Sequence, residues 1–250
     1  LRREKETCRG SAAASEGEKR QIIAHPDDGE FMAAGTMAKW ARQGSEIYYV
    51  LCTSGDKGTS DPNVNPEELA AIREREQKGA AAVVGAKDVV FLRYPDGSLQ
   101  NTLALRKDLV RQSRRFKPYV VSCQDPTNRV GESNISHPDH RAAGDTALDA
   151  VFPSARDYHV YPDLIAEGLM LHKTLEVYMG AQGSNATVWE DISDTIETKI
   201  AALQEHKSQV GDDPDRLKDM AERIKQRAAE LGAAHALPYA EGFRYIKLSG

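Results

Sequence analysis

Two short stretches hold the residues best suited to chemistry. His25-Pro26-Asp27-Asp28 sets an imidazole beside two carboxylates, and Ser136-His137-Pro138-Asp139-His140, which begins 111 residues further on, sets two imidazoles around another. Each has an ordinary structural explanation. Asp27 or Asp28 suits the N-cap of a following helix, and Ser136 with Asp139 three residues later resembles a capping box. Capping accounts for a carboxylate in each stretch and leaves His25, His137 and His140 unexplained. His137 and His140, three apart, share a face of a helical turn. Two histidines and one carboxylate leave positions on a metal open for water, as catalytic zinc sites do. Such a water falls in pKa from ~16 to ~7. A carboxylate that does not bind the metal can take its proton, and a spare histidine can act as an acid or stabilise an oxyanion. One Asp of HPDD and one His of HPDH are spare in that sense.

These residues need a scaffold that brings them together. Short apolar runs at Gln21 to Ala24, Ile47 to Thr53, Val89 to Tyr94, Tyr119 to Cys123 and Leu175 to Met179 read as strands. Helical patterns at Gly29 to Gln43, Glu67 to Val84, Leu103 to Phe116 and His140 to Val151 separate them. Strands alternating with helices predict an α/β fold: one Rossmann-like domain with an open, mostly parallel sheet and helices on both faces. The continuous rather than alternating apolar runs agree with strands buried on both sides. Ligands of such sheets bind beyond the carboxyl ends of the strands. There the chain carries HPDD, TSGDKGTSD, YPDG and the stretch from QDPTN to SHPDH.

Residues 1–20 read as a flexible extension and 21–250 as the domain, with helical stretches at Ile192 to Val210 and Pro214 to Leu231 (within 190–232) packed on the sheet. The formal charge of −5, from 33 basic and 38 acidic residues, argues against nucleic acid as a partner. No apolar run reaches the ~18 residues of a membrane span. Cys8, Cys52 and Cys123 form no CxxC pair, which together with the charged N-terminus predicts a reducing, cytoplasmic setting.

The chain resembles the zinc-dependent N-deacetylases of the LmbE/PIG-L family. The matching pieces are AHPDDGEF (Ala24 to Phe31), TSGDKGT (Thr53 to Thr59), the stretch Ile72 to Gly97, SHPDH (Ser136 to His140), HKSQ (His206 to Gln209) and YAEGFRYI (Tyr239 to Ile246). HPDD followed by HPDH at this spacing is the specific part. The resemblance implies one zinc per chain, with Fe2+ or another divalent ion as a substitute, bound by His25, Asp28 and His140. It implies Asp27 as general base, His137 as stabiliser of the tetrahedral intermediate or acid for the leaving amine, and Asp139 as the group that orients His137. It further implies Arg73 and Asp96 as substrate-binding residues, an N-acetylglucosamine-type sugar or related amide as substrate, and a homo-oligomer, trimer or hexamer. A mycothiol-conjugate-type amidase is the alternative within the family. Gly29 stands where many members carry a larger residue.

Bland readings stand beside these. Arg73 lies among alternating charges, as on a solvated, salt-bridged face. Tyr94-Pro95-Asp96-Gly97 has the residues of a type I turn. His206 reads as a packed or surface histidine, and Cys52 and Cys123 as core thiols. The stretch Gln124 to Ile135, with Arg129 and Glu132, suits a lid or rim. A non-haem iron oxygenase shares the ligand types but is usually built on a β-rich scaffold. A dinucleotide oxidoreductase would need GxGxxG where HPDD stands. A non-catalytic metal- or sugar-binding module could keep the same ligands, but has no use for Asp27.

Overall fold

The computed structural model describes residues 17–131, 134–181 and 185–249. Seven strands form one sheet: β1 (Glu18–Ile23), β2 (Glu46–Thr53), β3 (Asp88–Tyr94), β4 (Val120–Gln124), β5 (Glu176–Gly180), β6 (Val188–Asp191) and β7 (Ala240–Lys247), in the order β3-β2-β1-β4-β5-β7-β6. The first five pair in parallel, and β7 runs antiparallel to both β5 and β6. The helices are α1 (Asp28–Arg42), α2 (Pro66–Val84), α3 (Leu103–Phe116), α4 (Pro138–Asp149), α5 (Pro162–Ala166), α6 (Ile196–Gln204), α7 (Lys207–Val210) and α8 (Pro214–Ala233).

Neighbouring residues of each central strand enter opposite cores, as a pleated strand requires. Ile22 and Val50 pack with Leu105, Leu109 and Ala143 on the α3/α4 face. Ile23, Tyr49 and Leu51 pack with Met37, Trp40, Ala80 and Val84 on the α1/α2 face, where Ala202 of α6 joins them. The α/β architecture with a mostly parallel open sheet is therefore present, with helices on both faces.

Several boundaries differ from the sequence-based expectation. Glu18, Lys19 and Arg20 belong to β1 rather than to an extension; residues 1–16, with Cys8, lie outside the described residues. The charges of this segment hid the strand. Arg20 is only 1% exposed because its guanidinium lies 3.9 Å from the centroid of the Phe116 ring and donates to the Gln112 carbonyl at 2.6 Å. The short apolar piece near the end of the sequence, from Phe243, belongs to β7, which begins at Ala240, and β6 was not foreseen. The stretch from Ile192 to Val210 is not one helix, since it is interrupted at Glu205 and His206.

Helix α1 is broken at Ala33, whose φ and ψ of −151° and 15° are not helical. A break opens unpaired N–H groups at a new helix start. Glu241 of β7 closes it, accepting from Gly35 N–H at 3.1 Å and Thr36 N–H at 2.8 Å. Lys199 of α6 bonds Glu241 at 2.6 Å and the Phe31 carbonyl at 2.8 Å. Both side chains are buried. Removing one partner of a buried ion pair costs about 3–5 kcal/mol. Glu241→Ala is expected to lower the unfolding free energy read from urea denaturation by an amount on that scale; an unchanged value would show that the carboxylate does not hold the break.

Candidate metal centre

The strand order reverses direction at β1, which lies between β2 and β4. That is the topological switch point where ligands of open α/β sheets collect. HPDD leaves β1 and HPDH opens α4, so the crevice beyond these strands gathers both motifs. Gly144 permits the approach of α4: a Cβ there would meet the Gln124 carbonyl oxygen at 2.3 Å.

His25 stands at the centre. Its Nδ1 lies 3.1 Å from Asp28 Oδ2, and its Nε2 lies 3.1 Å from Asp96 Oδ1 and 3.4 Å from Asp139 Oδ2. His140 Nε2 meets the other Asp28 oxygen at 3.0 Å. The Asp28 carboxylate thus bridges two imidazoles, and it also accepts from the Gln124 amide at 3.0 Å and the His25 backbone N–H at 2.8 Å. The rings of His25, His137 and His140 lie 4.9 to 5.3 Å apart by centroid.

Electrostatics follow from this geometry. Burial resists protonation of His25, but hydrogen bonds and charge from Asp28 and Asp96 prevail and raise it to about 10. Burial likewise disfavours charge on Asp28, yet its bonds to His140 and His25 hold it well below the usual carboxylate range. Asp27 is pushed up to about 7 by burial and by the neighbouring Asp28 charge, against the pull of Arg73. His137 is lowered by burial and by the charge of His25.

Two sets of donor atoms lie close enough to share an ion: His25, His137 and His140, and His25, Asp96 and Asp139, each within 4.8 Å of one another. Imidazoles with carboxylates suit zinc and other divalent ions of the first transition row. The donor set therefore fits a metal, and the cluster could hold one. His137 approaches as closely as the histidines of the expected set.

Asp27 is the N-cap residue of α1, but its carboxylate makes no capping bond. Its φ of 83° is left-handed, a region uncommon for residues other than glycine. The carboxylate's charged neighbour is Arg73, at 3.5 Å. His137, not Ser136, is the N-cap of α4, because Pro138 takes the first helical position. Its Nδ1 accepts from the Asp139 backbone N–H at 3.2 Å. Asp139, expected to orient His137, meets that ring through its backbone N–H, while its carboxylate accepts from Gly97 and Leu99 N–H at 2.7 and 3.1 Å and faces His25.

Arg73 is not on a solvated face. It is 4% exposed, and its guanidinium donates to the Gly55 and Pro26 carbonyls, both at 2.9 Å. Gly55 makes room for it, since a Cβ there would lie 2.1 Å from Arg73 Nη1. Asp96 is buried too, with Oδ1 on His25 and Oδ2 accepting the Lys57 N–H at 2.9 Å. Cys52 and Cys123 are buried free thiols. Gly29 leaves no space for a larger residue, as a Cβ would meet Tyr49 at 2.8 Å.

Asp28, His137 and His140 lie on the wall of a cleft of about 750 Å³, which continues along Gln124 to Asn128, Asn134 and Ile135 to the face of α8 bearing Arg216, Arg223 and Arg227. Of the stretch expected to form a lid or rim, Gln124, Asp125, Asn128, Asn134 and Ile135 line this cleft; Arg129 does not, and Glu132 lies outside the described residues. His25, Asp27, Arg73 and Asp96 are not on this wall. Gln77 went unnoticed in the sequence, and Gln124 and Glu30 were given no part in holding the site. One signal was available: Arg73 and Gln77 stand four apart on the same face of α2 as Leu69, Ala80 and Val84.

The open α/β sheet thus carries, at its switch point, a histidine–aspartate cluster that could hold a metal ion. The chain belongs to the PIG-L family, described as GlcNAc-PI de-N-acetylase, whose model matches residues 21–151. It is 34% identical to a diacetylchitobiose deacetylase of Thermococcus kodakarensis over 90% of this chain and 81% of that one. It is 28% identical to a mycothiol S-conjugate amidase of Streptomyces coelicolor over 66% of this chain and 60% of the other. Among solved structures, the N,N'-diacetylchitobiose deacetylase of Pyrococcus horikoshii superposes with a TM-score of 0.83 at 30% identity, covering 92% of this chain and 84% of that one. By class the chain is an amide hydrolase. No helix among the described residues is long and apolar enough to cross a membrane.

Proposed function

We propose that this chain is a zinc-dependent N-deacetylase that hydrolyses the acetamido group of an N-acetylated sugar. The observation that carries the reading is the Asp28 carboxylate held between His25 and His140, with a second, uncapped carboxylate, Asp27, beside it. His25, Asp28 and His140 would hold the metal. Such an ion acidifies water at neutral pH and polarises a carbonyl.

Asp27 takes the water's proton and returns it to the departing amine. His137 accepts at Nδ1 from the Asp139 backbone, so it carries its N–H at Nε2. That tautomer suits a donor to the oxyanion of the tetrahedral intermediate. Asp139 and Asp96 steady His25, and Arg73 grips the backbone that carries Asp27. Arg73 and Asp96 thus brace the site from beneath; contact with sugar hydroxyls would take Asp96 from its present partners, whereas Arg73 keeps an unpaired Nε–H among the described residues.

The cleft is larger than a single sugar ring needs and lies within the usual range of ligand pockets. The described residues give the guanidinium groups of Arg216, Arg223 and Arg227 no carboxylate partner, which supports a substrate with an anionic group beyond the acetamido ring. The likeness to a mycothiol S-conjugate amidase supports a second reading, cleavage of a bulkier amide on a thiol conjugate. One experiment tests both. Metal content and primary-amine release are measured, with and without chelator, on N-acetylglucosamine, diacetylchitobiose, N-acetylglucosamine 1-phosphate and an S-conjugated amide. Bound zinc, chelator-sensitive release and faster turnover of the phosphorylated than the neutral sugars are expected. Release from the conjugate alone would favour the second reading, and zinc without any release would point to a binding module.

A further inference from the structure

The strained conformation of Asp27 calls for something that enforces it. A non-glycine residue in the left-handed region is disfavoured and persists only where its surroundings over-determine it. Here α2 grips the Pro26–Asp27 peptide at both poles. Arg73 donates to the Pro26 carbonyl at 2.9 Å, and the Asp27 N–H donates to Gln77 Oε1 at 3.2 Å. Arg73 and Gln77 stand one helical turn apart and are both buried.

Gln77 can accept from Asp27 only if its amide is turned the right way, and an amide's orientation is decided by its other partners. Its Nε2 donates to Glu30 Oε1 at 2.9 Å, which directs Oε1 toward Asp27. Glu30 is in turn fixed through its second oxygen, 3.1 Å from His206 Nε2. Glu30, Gln77 and His206 are all 0% exposed. His206 Nδ1 has no partner among the described residues, so the ring's N–H at Nε2 is the one that binds Glu30. His206 lies at the junction of α6 and α7, outside residues 21–151.

We infer that His206 is a positioning residue for Asp27: acting through Glu30 and Gln77, it orients the peptide that carries the general base. The inference rests on the proposed role of Asp27. It gives the interruption between α6 and α7 a purpose, because a continuous helix would carry residue 206 onward along its axis instead of turning it under α1.

The test measures kcat, KM and bound metal for His206→Ala and His206→Gln. Outer partners of catalytic groups typically contribute 10- to 100-fold. His206→Ala is expected to lose kcat by about that factor with KM and metal content unchanged. His206→Gln, whose amide can still donate to Glu30, is expected to recover most of the loss. Equal losses in both variants, a parallel loss of metal, or an unchanged kcat in His206→Ala would each overturn the inference. Should His206→Ala not fold, Gln77→Met removes the same link at similar volume and must show the same loss in kcat. The effect of His206→Ala is also measured in an Asp27→Asn background. A residue acting through Asp27 has no further effect there, whereas additive losses reject the relay. If Asp27→Asn alone turns over like wild type, the general-base assignment has failed instead.

Discussion

His140→Ala is expected to abolish both metal binding and hydrolysis. His140 Nε2 lies 3.0 Å from Asp28 Oδ1, on the far side of that carboxylate from His25. Removing it leaves two of the three proposed ligands, and catalytic sites of this kind hold their metal with three. The side chain is about a third exposed, so its loss leaves the core of α4 intact. Metal analysis and amine release on the same preparation check the outcome, with circular dichroism as the control for folding. A variant that is metal-free yet fully active would remove this cluster from the reaction. One that keeps its metal would move the third ligand elsewhere, and His137, whose ligand atom lies within 4.8 Å of that of His25, is the first place to look.

Asp27→Asn separates catalysis from binding. Asparagine tolerates the left-handed backbone at least as well as aspartate, so the 83° φ is expected to be retained. The carboxylate is not among the proposed ligands, so the metal is expected to stay. What is lost is the proton acceptor, and turnover is expected to fall by at least ~10²-fold, the scale of general-base contributions. Single-turnover kinetics with metal analysis decide the matter. Wild-type turnover would send the proton elsewhere. Loss of metal would show that the carboxylate supports ion binding instead. A pure binding module would show neither loss.

Much of the site was legible because its chemistry is concentrated in two short segments. HPDD and HPDH together hold three histidines and three aspartates, and capping could not absorb the imidazoles. What the sequence left open depends on where a side chain turns. Asp139 looked like a partner for the His137 ring, yet its backbone N–H holds that ring while its carboxylate faces His25. Arg73 sits in a run of alternating charge, yet one turn of α2 carries it inward beneath Gly55. His206 lies in a charged helical stretch, and nothing local announces that the helix stops there to bury it against Glu30.

By itself the amino-acid order determined the donor types, the alternation of strand and helix, and the rule that ligands gather beyond the strand ends. Those properties are local: side-chain chemistry and hydrophobic period need only a few neighbouring residues. The tertiary structure decided which distant segments meet. Placing β4 beside β1 brings HPDD within hydrogen-bond reach of HPDH, and bringing α2 under α1 imposes the left-handed turn at Asp27. Strand order and helix docking follow from burying both faces of the sheet at once. That condition belongs to the whole chain, and no short window of sequence contains it.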